Sequence, residues 1–125
     1  MYRYKAKVVR VVDGDTLDLA VSLGFKINIG IRARLYGVDT PETYGVKHDS
    51  DEYAKGLAAK QFVESWLVDH GHDVLIVSHD GKKLGKGKYG RWIAEIFPNE
   101  STWAGDHPSL NEALVTNGHA ERVSY

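Results

Sequence analysis

The chain has 125 residues, of which 42% are hydrophobic and 26% charged, a balance typical of one folded domain that excludes a disordered protein. It has no cysteine and no apolar run near the ~20 residues that span a bilayer, which excludes disulfides, thiolate metal sites and a transmembrane helix. The net charge of −1 argues mildly against a non-specific nucleic-acid binder, which usually presents a strongly basic surface.

The first third of the sequence predicts three consecutive strands. Residues 2–12 form the first, and residues 16–21 form the second because their apolar side chains alternate with polar ones. The third is a long half-buried strand over residues 25–35, joined to the second by a hairpin around residues 22–24. Its apolar residues all occupy odd positions: Phe25, Ile27, Ile29, Ile31, Ala33 and Leu35.

The apolar alternation reverses its parity at Gly37, because Val38 is apolar at an even position. An inserted residue at a glycine is the sequence pattern of a β-bulge. The reversal brings Asp39 onto the same face as Arg34, whereas an undisturbed strand would send the two side chains to opposite faces.

The middle of the chain predicts one amphipathic helix over residues 53–67. Ser50 or Asp51 can cap its start, and Gly71 lies where a C-terminal glycine is expected. We expect its buried face to follow three residues spaced by four: Ala58, Phe62 and Trp66.

The remaining elements are two strands and a short helix. Residues 74–77 and 92–97 are apolar runs separated by a glycine- and lysine-rich loop at 80–90. Ser109 and Glu112 form a capping box that opens a helix ending at Asn117-Gly118. Five strands with one long and one short helix predict an α+β protein built on a small oligonucleotide-binding (OB-fold) barrel.

Three short motifs supply the residues for chemistry. They are Asp13-Gly14-Asp15-Thr16, then Arg34 followed by Val38-Asp39-Thr40-Pro41-Glu42, and finally Lys88-Tyr89-Gly90-Arg91. Taken alone, each motif can also be explained as an ordinary turn with no catalytic role. The first is not an EF-hand loop, because Asp18 and Gly24 stand where that loop needs glycine and glutamate. Together the motifs offer oxygen donors for Ca2+, Mg2+ or Mn2+ and two arginines for a phosphate, which suits a metal-dependent phosphodiesterase.

In this order and at these intervals, the three motifs resemble the staphylococcal nuclease family, over nearly the whole chain. The resemblance implies a Ca2+-dependent nuclease that cuts DNA and RNA with little sequence specificity and leaves 3′-phosphate ends. It implies that Asp15, Asp39 and the backbone carbonyl of Thr40 bind Ca2+, with Asp13 acting through a water.

The same resemblance assigns the remaining site residues. Glu42 orients and deprotonates the attacking water, while Arg34 and Arg91 hold the phosphate and stabilise its developing charge. Lys88 and Tyr89 flank the bound nucleotide. The substrate is then DNA, with RNA as a second possibility.

The sequence departs from this pattern in two ways. Proteins of the family are strongly basic, whereas this chain has a net charge of −1. Its basic residues are concentrated in two segments without acidic residues, 1–10 and 82–91. The family also continues into a further C-terminal helix, and we expect none within the 125 residues given. A non-catalytic oligonucleotide-binding module and a protein-interaction domain with an incidental calcium turn are the alternative interpretations.

The start of the sequence, residues 1–7, lacks a hydrophobic signal core. We therefore expect one soluble, monomeric domain over residues 1–125 with no membrane partner, intracellular as the sequence stands, with secretion left open.

Overall fold

A computed structural model describes residues 3–79, 92–99 and 107–124. In chain order the elements are β1 Arg3–Asp13, β2 Thr16–Ser22, β3 Asn28–Leu35, β4 Val38–Asp39, α1 Asp51–His70, β5 Asp73–His79, β6 Trp92–Pro98, α2 Leu110–Thr116 and β7 Glu121–Arg122. The predicted loop at 80–90 lies outside the described residues, and the strands on either side of it are β5 and β6.

Five strands close into a barrel in the order β1-β2-β3-β6-β5, with β5 pairing back onto β1. All neighbours are antiparallel except β3 and β6, which are parallel. The interior is filled by alternate side chains such as Leu17, Leu19, Ala33, Leu35 and Ile96, each at most 1% exposed. The predicted OB-type barrel with two helices is confirmed.

The predicted strand over residues 25–35 starts three residues too early. β3 begins at Asn28, and Phe25 and Lys26 instead form the hairpin turn with φ of 54° and 61°. Phe25 is 97% exposed and Ile29 is 42% exposed. Within the described residues β6 pairs only with Ala33–Leu35 of β3. The start of β3 therefore pairs with β2 alone, and Ile29 stays partly exposed.

The parity reversal at Gly37 comes from a turn and not from a bulge within one strand. β3 ends at Leu35, and Gly37 adopts a left-handed φ of 74° before β4 begins. β4 leaves the barrel and pairs with β7 in a separate two-stranded sheet. The chain thus changes direction after the barrel strand, which delivers the next residues to the barrel surface.

Both helices are capped as the sequence predicts. Ser50 accepts a hydrogen bond from the Tyr53 N–H at 3.1 Å, and Ser109 accepts one from the Glu112 N–H at 3.0 Å. The buried face of α1 differs from the expected one, because Ala58 and Phe62 are only half-buried. Its fully buried positions are Gly56, Ala59, Val63, Trp66 and Leu67. Neither described helix combines the length and the apolar character needed to cross a membrane.

A buried asparagine joins α2 to the barrel. Asn111 donates to the carbonyl oxygens of Tyr36 and Ala94 at 2.9 and 3.2 Å, and its Oδ1 accepts from the Ile96 N–H at 3.1 Å. Because Asn111 is only 4% exposed, these bonds replace those it would make to water. They fix α2 beside β6 and the end of β3.

Two glycines let α1 approach the segments on either side of it. A Cβ at Gly56 would lie 2.7 Å from the Pro41 carbonyl oxygen and 2.9 Å from that of Glu42. A Cβ at Gly14 would lie 2.8 Å from the Ala59 Cβ and 3.0 Å from the Thr40 Oγ1. The helix therefore packs directly against the β1–β2 turn and against the backbone of residues 40–43.

This contact predicts an unusual effect for Gly56→Ala. At a free helical position alanine is more stable than glycine by about 1 kcal/mol, whereas here we expect a loss of about 1–3 kcal/mol because the backbone of residues 41–42 must move. Urea denaturation measures the change. Gly30→Ala is the matched control, since a Cβ there meets nothing within 4 Å. A stabilised Gly56→Ala variant would contradict the close packing.

Candidate active site

The Asp13-Gly14-Asp15 turn joins β1 to β2 and buries both carboxylates. Asp13 is 7% exposed and Asp15 is 5% exposed. The Leu35 N–H donates to the Asp15 carbonyl oxygen at 2.8 Å, which ties this turn to the end of β3. Since an unpaired buried carboxylate is costly, both side chains need partners from neighbouring segments.

Three threonines supply neutral donors to these carboxylates. The Thr40 N–H donates to Asp15 Oδ2 at 3.2 Å, and the Thr16 hydroxyl donates to Asp15 Oδ1 at 3.1 Å. The Thr43 hydroxyl donates to Asp13 Oδ1 at 2.7 Å. Sequence reasoning missed Thr43, because nothing in its local pattern separates it from any polar loop residue.

Arg34 connects two of the predicted metal ligands. Its Nη1 lies 3.5 Å from Asp15 Oδ2, and its Nη2 lies 3.1 Å from Asp39 Oδ1. The Nη2 also donates to the Val38 carbonyl oxygen at 3.4 Å. Asp39 therefore contacts Arg34 as expected, although the two residues lie on strands of different sheets and not on one face of a single strand. One guanidinium holds a buried and a half-exposed carboxylate together.

Glu42 lies within electrostatic reach of the same group. Its pKa is raised above the usual 4.5, first because partial burial disfavours the charged form, and then because Asp15, Asp13 and Asp39 repel it. Arg34 acts in the opposite direction and lowers this pKa. The interactions show that the four acids and the arginine share one site.

The donors suit a hard divalent cation in chemical type, since they offer carboxylate oxygens and neither sulfur nor imidazole. Asp15 and Asp39 both already lie against one cationic group, Arg34. The hydroxyl of Thr40 is buried with no hydrogen-bond partner among the described residues. Over residues 3–79, 92–99 and 107–124, however, no three Asp, Glu or His side chains are close enough together to hold a metal ion.

A groove of about 590 Å³ opens over this cluster. Its lining includes Asp15, Arg34 and Glu42, together with two aromatic residues, Tyr44 and Trp92. Sequence reasoning assigned neither aromatic residue to the site. The available signal was weak, a tyrosine directly after the Asp39–Thr43 segment and a tryptophan directly after the third motif.

The structure does not describe the third motif, residues 88–91. Lys88, Tyr89 and Arg91 lie outside the described residues, so their predicted contacts with substrate stay predictions. The chemistry that the described part offers is a pair of buried carboxylates, a more exposed carboxylate with a raised pKa, and an arginine among them. Such a set can bind a cation, accept a proton and bind a phosphate.

Several known proteins are similar to this chain in sequence. A family model described as staphylococcal nuclease homologue matches residues 32–125. A thermonuclease of Staphylococcus intermedius is 34% identical over 118 residues, covering 94% of this chain and 59% of that protein. An uncharacterised protein of Methanocaldococcus jannaschii is also 34% identical, over 131 residues that cover 94% of this chain and 58% of that protein.

A more distant relative is endonuclease YhcR of Bacillus subtilis, 30% identical over 120 residues that cover 94% of this chain and 9% of that protein. The chain thus spans less than two thirds of the length of each of these relatives. The family model covers most of the chain, and the relatives align with nearly all of it. The chain belongs to the staphylococcal nuclease homologue family.

Proposed function

We propose that this chain is a Ca2+-dependent nuclease domain that hydrolyses phosphodiester bonds in DNA and RNA with little sequence specificity and leaves 3′-phosphate ends. We also propose that residues 1–125 act as one monomeric domain. The observation that carries the proposal is the position of Arg34, between Asp15 and Asp39 and within electrostatic reach of Glu42. The nuclease names of two relatives support it.

In this proposal Asp15, Asp39 and the backbone carbonyl of Thr40 hold Ca2+, and Asp13 acts through a water. When bound, the ion supplies positive charge that neutralises the phosphodiester. Asp13 is already held by the Thr43 hydroxyl, and Asp15 by the Thr40 N–H. These bonds orient the carboxylates before any ligand binds, which lowers the cost of assembling the site.

Glu42 is the proposed general base. It orients a water and accepts its proton on a carboxylate oxygen, which requires the ionised form. The raised pKa makes Glu42 a better proton acceptor than an isolated glutamate.

Arg34 is the proposed phosphate ligand. Its planar guanidinium can donate two parallel hydrogen bonds to phosphate oxygens. Arg91 is proposed as the second arginine on the phosphate, and Lys88 and Tyr89 as residues that flank the nucleotide.

A cleavage assay tests the activity. We expect the protein to cut single-stranded DNA and RNA in the presence of Ca2+ and to stop when the ion is chelated, with 3′-phosphate ends identified by mass spectrometry. Asp39→Asn serves as the site variant, because Asp39 is half-exposed and its replacement should leave the fold intact. Binding without cleavage would favour the non-catalytic oligonucleotide-binding module, and neither binding nor cleavage would favour the protein-interaction domain.

Arg34→Lys tests the phosphate ligand. We expect turnover to fall by about 100-fold or more, because lysine keeps the charge but cannot bridge two oxygens. Arg122→Lys is the matched control. Its guanidinium is held by Glu112 at 2.7 Å and lies outside the groove, so its replacement should change turnover little. Turnover near the wild-type value in Arg34→Lys would refute the assigned role.

Glu42→Gln should lose activity and gain stability at neutral pH. A carboxyl whose pKa is raised in the folded protein binds its proton more tightly there than in the unfolded chain, so its contribution to stability is lost as pH rises through that pKa. An uncharged glutamine avoids this loss. Urea denaturation at pH 5 and pH 7.5 should therefore show a larger gain at the higher pH, and an equal gain at both would argue against the raised pKa.

A further inference from the structure

Building on the proposed nuclease function, we propose that Tyr44 and Trp92 form a base-stacking subsite that holds an unpaired nucleobase beside the phosphate at Arg34. The preferred substrate is then a single-stranded segment of nucleic acid. Both aromatic residues are positioning residues, since they act on the base and not on the reacting atoms.

The exposure of these two side chains is the first observation. Tyr44 is 69% exposed and Trp92 is 53% exposed, although burying a large aromatic ring contributes a large favourable free energy. Tyr44 follows β4 and Trp92 begins β6, so they come from distant parts of the sequence. They nevertheless line one groove, the same groove that contains Arg34 and Glu42.

The shape of the groove is the second observation. Gly30 also lines it, in the middle of β3, and a Cβ at this position would find nothing within 4 Å. A glycine inside a strand weakens the strand and is often found where a ligand approaches the backbone. The groove volume of about 590 Å³ lies within the usual range for small-ligand sites.

Charge is the third observation. The net charge is −1, and the groove itself contains the carboxylates of Asp13, Asp15 and Glu42. Of the arginines that line it, Arg32 is bound to Asp18. Counterion release from phosphate contacts can therefore supply only part of the affinity for a polyanion. Stacking supplies affinity that is independent of charge and tolerant of sequence, because every base has an aromatic face.

The preference for single strands follows from this mode of binding. Bases in a duplex are stacked on their neighbours and expose only their edges, whereas an unpaired base can be inserted between side chains. The groove lies beside the proposed scissile phosphate, so a stacked base would restrict where that phosphate sits relative to Arg34.

Binding of a fluorescent single-stranded DNA hexamer, measured by anisotropy in a chelator so that no cleavage occurs, tests the subsite. We expect Tyr44→Ala and Trp92→Ala each to weaken binding by at least about fivefold, and Tyr44→Phe and Trp92→Phe to retain most of it because the ring remains. Phe25→Ala is the matched control, since Phe25 is 97% exposed at the hairpin tip, outside the groove.

Two further measurements separate stacking from a general loss of fold. A hexamer with abasic positions should bind the wild type about as weakly as the intact hexamer binds the Tyr44→Ala/Trp92→Ala double variant, and the double variant should bind both hexamers equally. Gly30→Leu, at a position where an added Cβ meets nothing within 4 Å, should fill the groove and weaken binding while urea denaturation shows no loss of stability. In the presence of Ca2+, the alanine variants should raise KM for the hexamer more than they lower kcat.

The outcomes distinguish this subsite from the nuclease proposal. Cleavage with normal binding and KM in Tyr44→Ala and Trp92→Ala would overturn the subsite and leave the nuclease proposal intact. Ring-dependent binding in the chelator, with no cleavage of the hexamer when Ca2+ is supplied, would support the subsite and overturn the nuclease proposal. Binding of intact and abasic hexamers with equal affinity, equal affinity for a duplex, or no binding by the wild type would each overturn the subsite.

Discussion

The burial of two carboxylates at the β1–β2 turn is the constraint on which the site depends. Asp13 and Asp15 are both less than 10% exposed, and in a medium of low polarity each must be met by donors. The donors come from the strand that follows, from Arg34 on β3 and from Thr40 and Thr43 after β4. Satisfying these acids therefore determines where the 38–43 segment lies on the barrel.

The helix α1 holds that segment from the other side. Gly56 and Gly14 remove the side chains that would separate the helix from the backbone of residues 41–42 and from the turn. The same helix packs Val63, Trp66 and Leu67 into the hydrophobic core. Hydrophobic burial of the helix is thereby coupled to the position of Glu42, so the stability of the core also supports the geometry of the site.

The fold and part of the site could be predicted because their signals are local. Each of these signals depends on a few neighbouring residues: strand alternation, the two serine caps and the parity reversal at Gly37. The reversal was enough to predict that Asp39 lies near Arg34. The prediction failed for residues 25–27, which lie outside β3, and for the burial of Ile29, because alternation identifies an apolar face but not whether another strand covers it. It also could not distinguish a turn at Gly37 from a bulge.

The features that escaped prediction are long-range. β4 has two residues, and its pairing with β7 joins positions more than 80 residues apart, for which a two-residue strand offers no periodic signal. The requirement for glycine at position 56 arises from a loop that precedes the helix, and it is invisible in the helical pattern itself. Tyr44 and Trp92 share a groove only because the barrel places β6 beside β3.

Charge balance explains why the acids and the arginine belong together under the proposed function. Arg34 is the counter-charge of both Asp15 and Asp39, so a phosphate that binds its guanidinium competes with two carboxylates, one of them buried. Drawing the guanidinium away would leave the buried Asp15 carboxylate without its cationic partner, at a cost in free energy. A cation on the same carboxylates removes that cost. Phosphate binding at Arg34 should therefore be tighter with a divalent ion than without one, a dependence that separates a metal-dependent phosphodiesterase from a simple anion-binding site.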